Sequence, residues 1–435
     1  MFDNSFISRH YCLFLVFVLI FGLTTISTAG STVVSDIEIN SEDITGPGSD
    51  NSIYDSGVSY NGSLNFTNRS ELNKYDLLFN LNLKTQEDMQ SSEQVFLISR
   101  LRASFSSKDN NSVFNIGDTF EYFDQYVLNS SLKGVSYKYK TDKDDSLTFI
   151  YGYDYPRWDN IIKEDYEAIA RRSLGLNYKN NNHELIKWGF SVLNTDDESA
   201  VDEEDILYKN NILGLNWEYL PIPGLIVQGS FAYGNTEENS GDSYSGTANK
   251  LKIFSNAKEG RASIDYERIN PEFKTLLGSA TADREKYKAS LLYRYSNRIN
   301  YNFDYLYFRD NLDGQKSVTT RNYKPGVGVS VRRIFDRRYA STGLKYKLNI
   351  KDAGEKQINE DIISLNYRDR FKMIDLNTNI NYVVGKTEVE DEISRENELT
   401  LNLSLSTRKR MEGYILRPVL RLGYFKNNDE SENEN

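Results

Sequence analysis

Arg417 and Arg421 stand four residues apart in YILRPVLRLGYF, set among leucines and a proline. Guanidinium groups stay charged at neutral pH and grip carboxylates or phosphates, so cations spaced along an apolar segment raise the question of a path for anions. The same pairing of cation and apolar neighbour recurs at Arg100 and Arg102 in ISRLRASF, Arg294 in LLYRYSN, Arg332 in VSVRRIF, and Lys345 and Lys347 in GLKYKLNI. Other chemistries have fewer carriers. A Ser-His or Asp-His arrangement would have to use His183, in the turn-like KNNNHE, because His10 belongs to the N-terminal segment. GDSYSG at 241–246 sets serines among glycines, yet it lies in a long polar stretch without the strand-to-helix turn that exposes a nucleophile. The acidic stretches NTDDESAVDEED and TEVEDEISREN lack the spacing of a calcium loop and read as solvated loops. The single cysteine, Cys12, falls in the segment expected to be removed, which excludes disulfides, Cys-ligated zinc and a thiol nucleophile from the mature chain. No enzyme activity, metal or cofactor is expected.

The elements that must position these cations are strands. In NELTLNLSLST, Leu399, Leu401, Leu403 and Leu405 alternate with Thr400, Asn402, Ser404 and Ser406, the period of two that sends side chains to opposite faces of a sheet. Tyr75, Leu77, Phe79, Leu81 and Leu83 repeat the pattern, as do Ile299 to Tyr307 and Ile374 to Tyr382. With 31 Tyr and 22 Phe against 7 Pro, and a mean hydropathy of -0.59, the composition favours strands while remaining polar overall. Strands of about ten residues are expected throughout, including 112–118, 322–334 and 412–425, roughly twenty in all. From residue 180 their connections switch between short (NNNH, LPIPG, NAKEG) and long (NTDDESAVDEED, TEENSGDSYSGT, PEFKTLLGSATAD). Sorting of short turns to one rim and long loops to the other belongs to an up-and-down membrane barrel.

The first residues differ. Arg9, the apolar run YCLFLVFVLIFGL and the small residues Ser27 and Ala29 have the order of a signal peptide over 1–29. A short segment, 30–56, would precede a barrel over 57–425 and an acidic tail over 426–435. The formal net charge of -11 argues against nucleic acid as a partner.

An apolar wall and a polar wall fit two architectures: a soluble sandwich, whose apolar wall is its core, and an outer-membrane barrel, whose apolar wall meets lipid. Strand length, tyrosines at strand ends (Tyr60, Tyr75, Tyr307, Tyr382, Tyr424) and pairing of sequence neighbours favour the barrel. In this pattern, and in Gly117-Asp118 of NIGDTFEYF followed by Gly134-Val135 of LKGVSYKYK, the chain resembles bacterial outer-membrane β-barrels of the porin-like kind; the Gly-Asp segment is similar to one in several exported barrel families, fimbrial ushers among them. The resemblance implies an all-β transmembrane up-and-down antiparallel barrel of about 18 to 22 strands, with short periplasmic turns and long acidic extracellular loops. It implies as partners the outer-membrane bilayer, the barrel-insertion machinery and small polar or anionic solutes. A barrel serving as a conduit in an envelope secretion complex with periplasmic partners is the alternative. Taken with strand phase, Arg100, Arg102, Arg294, Arg332, Lys345, Lys347, Arg417 and Arg421 would line the pore. The loop alternation also places the acidic tail at the long-loop rim, implying either a miscounted strand or an absent closing one.

Overall fold

The computed structural model describes residues 30–42, 57–87, 94–155, 158, 169–199, 205–389, 392–411 and 414–433. The segment read as a signal peptide, 1–29 with Cys12, lies outside them, as does the side chain of Tyr60. The strands are β1 (Ser31–Glu42), β2 (Gly57–Leu72), β3 (Tyr75–Glu87), β4 (Gln94–Ser107), β5 (Ser112–Asp124), β6 (Leu128–Lys140), β7 (Ser146–Asp154), β8 (Ala170–Asn180), β9 (Ile186–Ser199), β10 (Tyr208–Ile222), β11 (Leu225–Glu238) and β12 (Ser243–Ala257). They continue as β13 (Gly260–Ile269), β14 (Arg284–Arg294), β15 (Ile299–Asp310), β16 (Thr320–Tyr323), β17 (Gly326–Arg332), β18 (Ser341–Ala353), β19 (Lys356–Phe371), β20 (Ile374–Val389), β21 (Glu392–Thr407), β22 (Lys409–Met411), β23 (Tyr414–Leu416) and β24 (Val419–Asn433).

Twenty-two of these form one antiparallel sheet in which sequence neighbours pair, the up-and-down order of a transmembrane barrel. β16 and β17 pair with the same two neighbours, β15 and β18, so they are one crossing interrupted at Lys324–Pro325, where proline has no N–H to donate. The remaining odd number of crossings sets Ser31 and Asn433 at opposite rims. Among the described residues no ladder joins β1 to β24.

Exposure decides between the two solvents. On β7, Leu147, Phe149 and Tyr151 are 39–43% exposed while Ser146 and Thr148 are 6% exposed. β10 repeats this with exposed Leu213, Leu215 and Trp217 beside a fully buried Asn210. A sandwich core would bury the leucines and wet the serines; this sheet does the reverse, as a wall against lipid must. The exposed face carries belts of aromatic rings. Tyr266, Tyr287, Tyr307 and Tyr323 are successive cross-strand partners on β13 to β16, with ring centroids 4.9, 5.8 and 5.0 Å apart. Near the other end of β14 and β15, Tyr293 faces Tyr301. Such belts sit at the headgroup level of a membrane.

The rims sort as the sequence implies, with turns such as 73–74, 223–224, 258–259 and 372–373 at one and 270–283 and 311–319 at the other. Much of the long rim is nevertheless strand. TEENSGDSYSGT is paired between β11 and β12 up to the connection 239–242, and TEVEDEISREN continues the β20–β21 ladder as far as Val389↔Glu392. The segment read as a strand over 412–425 divides at Pro418: Tyr414–Leu416 forms a small ribbon with Lys409–Met411, and the crossing starts at Val419.

Candidate functional site in the barrel lumen

The inner face holds the polar half of the pattern, tied strand to strand by side chains. Asn80 donates to Thr67 Oγ1 (2.9 Å), Asn115 to Ser136 Oγ (2.9 Å), Asn177 to Ser191 Oγ (3.1 Å) and Asn210 to Thr236 Oγ1 (2.8 Å). Each such bond adds about 1 kcal/mol.

One hairpin leaves the wall. β5 pairs with β4 only over Val113–Gly117, and β6 with β7 only over Lys133–Lys140, while β5 and β6 stay paired with each other as far as Asp124 and Leu128. Residues 118–132 therefore peel away, and the Gly-Asp segment is where they do so. Gly117 has φ +98°, and a Cβ there would lie 2.1 Å from the Leu101 carbonyl oxygen, so only glycine makes this bend. The departure deprives β4 of a partner, and Asp118 supplies one: its carboxylate accepts the Leu101 backbone N–H at 2.6 Å and the Trp158 indole N–H at 2.7 Å, beside Lys133 at 3.7 Å.

The hairpin crosses the lumen and docks on the inner face of β7 to β13. Phe123, Tyr126, Val127, Leu128 and Leu132 are buried against Ile150, Leu193, Ile212, Ala232 and Ala248 of the wall, together with Phe273 and Leu277 of the 270–283 connection, which also folds inward. A fully buried side chain of this size contributes about 2 kcal/mol, so the apolar seam holds the hairpin firmly. Polar contacts fix its tip. The Tyr126 hydroxyl donates to Glu267 Oε1 (2.9 Å), Ser230 donates to Asp124 (2.8 Å), Lys250 donates to Gln125 Oε1 (2.7 Å), and backbone bonds run from Asn129 N to Leu277 O and from Ser279 N to Gln125 O. Glu267 is in turn paired with Arg284 at 3.1 Å. A cavity of about 510 Å³ remains between hairpin and wall, lined by Tyr122, Lys179, Lys187, Glu218, Lys250 and Lys252 among others.

The cations singled out in the sequence fall mainly elsewhere. Arg100 and Arg102 are on β4, and Arg102 reaches Asn115 on the inner face (2.9 Å). Arg294 ends β14 and Arg332 ends β17; both border one hollow at the short-turn rim. Lys345, ion-paired with Asp304, and Lys347 share the inner face of β18, opposite Gly328 and Gly326. Arg421 faces Ser404 across the β21–β24 ladder. Arg417 precedes β24 and lies in the connection at the short-turn rim, off the strand, because Pro418 ends the preceding ribbon before the crossing begins. His183 sits in the short turn between β8 and β9, and Ser243 to Gly246 begin β12 at the opposite rim. Among the described residues no group of three or more His, Cys, Asp or Glu is placed to hold a metal ion.

The inward hairpin was not read from the sequence, yet a signal for it exists. Ile150, Leu193, Ile212 and Ala232 occupy inner-face positions where alternation calls for a polar residue, and apolar side chains on both faces of a strand require cover on both.

Fold and lumen together define an up-and-down transmembrane β-barrel with a hairpin folded into it. The structure is similar to an anion-selective porin from Comamonas acidovorans (11% identity over 65% of this chain and 90% of that one, TM-score 0.36). It is similar to the P pilus usher translocation pore (10% identity, 87% and 93% covered, TM-score 0.40) and to OccAB4 of Acinetobacter baumannii (10% identity, 82% and 97% covered, TM-score 0.39). At these values the likeness is one of general barrel architecture, and no function passes through it. No family model and no curated protein matches the chain.

Proposed function

We propose that the protein is an outer-membrane channel, exported by a cleaved signal peptide, that passes small polar or anionic solutes along the side of the lumen the hairpin leaves open. The observation that carries this reading is the inner face of β17 to β24. There Arg332, Lys347 and Arg421 stand on an Asn- and Ser-rich wall and have no ion pair among the described residues, whereas Lys345 and Arg370 are matched by Asp304 and Asp375. An excess of fixed cations in a narrow aqueous path favours anions.

Planar-bilayer recording under a salt gradient tests the proposal. The mature protein should conduct with a reversal potential on the anion side, and Arg332→Glu with Lys347→Glu and Arg421→Glu should move that potential towards cation preference. An unchanged potential would remove these side chains from the conducting path. The docked hairpin favours a second reading, a barrel that stays shut and serves as a conduit in an envelope complex; absence of conductance together with co-purifying periplasmic partners would select it.

A further inference from the structure

We propose that the short-turn rim formed by residues 333–340 and 369–375 is a binding site for the phosphate headgroup of an anionic phospholipid in the adjoining leaflet. The proposal is independent of solute passage and would stand for a non-conducting barrel.

The turn RIFDRRYA between β17 and β18 is built unlike its neighbours at this rim. Arg333, Phe335 and Asp336 all have positive φ (56°, 53° and 55°), a conformation unfavourable for L-residues that persists where the surroundings impose it. Its result is to hold Phe335 83% exposed, and at the same rim Met373 of the β19–β20 turn is 74% exposed. Apolar groups so placed are unfavourable in water and favourable at a membrane interface. The outward apolar row of Ile363, Leu365, Phe371 and Ile374 reaches the same rim.

Charge supplies the specificity. Arg298, Arg337 and Arg370 are matched by Asp336 (3.0 Å), Asp369 (2.8 Å) and Asp375. Arg333, Arg338 and Lys372 are exposed and carry no ion pair among the described residues, leaving a local excess of cations. Arg337 stacks over Phe371 at 3.9 Å, which braces that ring on the outward face. Unpaired cations beside exposed apolar groups on the lipid side match a phosphate with acyl chains attached, since a free anion would gain nothing from Phe335 and Met373.

The test is native mass spectrometry of the folded, detergent-solubilised full chain titrated with phosphatidylglycerol or with phosphatidylcholine of the same chains. Wild type should retain phosphatidylglycerol preferentially. Arg333→Gln with Arg338→Gln should reduce that retention about tenfold or more, whereas Lys258→Gln at another turn of the same rim should not. Equal retention of the two lipids by the wild type, which needs no variant, would overturn the site. So would an undiminished preference in the double variant, shown to be folded by its heat-modifiable mobility, or displacement of the lipid by an equal concentration of inorganic phosphate.

Discussion

β7 to β13 and β17 to β24 share one outward code and differ inwardly. Both present Leu, Phe and Tyr to lipid: Leu147, Phe149 and Tyr151 in the first region, Leu420, Leu422 and Tyr424 in the second. Inside, the first region carries Ile150, Leu193, Ile212 and Ala232 at positions that the second gives to Arg332, Lys345, Asn366 and Arg421. The outer face answers to the bilayer and is the same everywhere; the inner face answers to whatever lies against it. An apolar inner wall therefore means docked chain, and a cationic one means water and solute. The lumen is therefore not uniform: one arc anchors the hairpin, and the other carries fixed cations.

The largest effect should come from breaking the anchored arc. Val127 is fully buried at the hairpin tip, and Val127→Asp would place a carboxylate among Ile212 and Ala232 with no partner, at a cost of several kcal/mol. The hairpin should leave the wall and single-channel conductance should rise severalfold, while the strand ladders, and hence heat-modifiable mobility, persist. A severalfold loss of conductance instead would mean that the hairpin holds the path open. A smaller effect of the same sign is expected from Gly214→Val, because a Cβ at Gly214 would lie 2.5 Å from Val127 Cγ2 and overpacking costs about 1–3 kcal/mol. The matched change in the other arc is Gly423→Val, where a Cβ would meet only Asn402 Oδ1, at 3.5 Å. It should leave thermal stability unchanged, and equal destabilisation by the two substitutions would dissolve the distinction between the arcs.

These differences mark what the sequence made legible. Alternation in NELTLNLSLST and its repeats specifies strands, faces and the lipid-facing side, because the period of two is local and one solvent acts on the whole outer wall. The inner wall is harder. Arg421 and Lys347 follow from strand phase alone, but Arg417 does not, since Pro418 shifts where the crossing starts. Gly117-Asp118 is visible as a motif, yet its work, a bend at φ +98° and a carboxylate for the stranded Leu101 N–H, depends on β4, which no local pattern couples to it. The partners of the hairpin tip are more remote still: Tyr126 and Glu267 are 141 residues apart. The inward apolar residues could have announced a covering element, but not which segment supplies it.

The smallest effect sharpens the border between the arcs. Asp283, at the end of the inward-folded 270–283 connection, accepts the backbone N–H groups of Asn311 (3.0 Å) and Leu312 (2.6 Å) and the Lys316 ammonium (2.5 Å), tying that connection to the loop 311–319. Burial acts to raise its carboxyl pKa, but the bonds from Lys316, Leu312 and Asn311 outweigh burial and hold it below the usual carboxylate range. A depressed folded-state pKa means the ionised form is favoured by the fold, so the tie is complete above the ordinary carboxylate pKa and is lost as pH falls through the lowered one. Hydrogen exchange at Asn311 and Leu312, corrected for intrinsic rates, should show protection constant from neutral pH down to about pH 4 and falling below it. Asp283→Asn should lower protection at neutral pH and flatten that dependence, since an amide neither titrates nor pairs with Lys316. Protection unaffected by either acid or the substitution would show that the two connections are held by Phe273 and Leu277 alone, and that the anchored arc ends before β14.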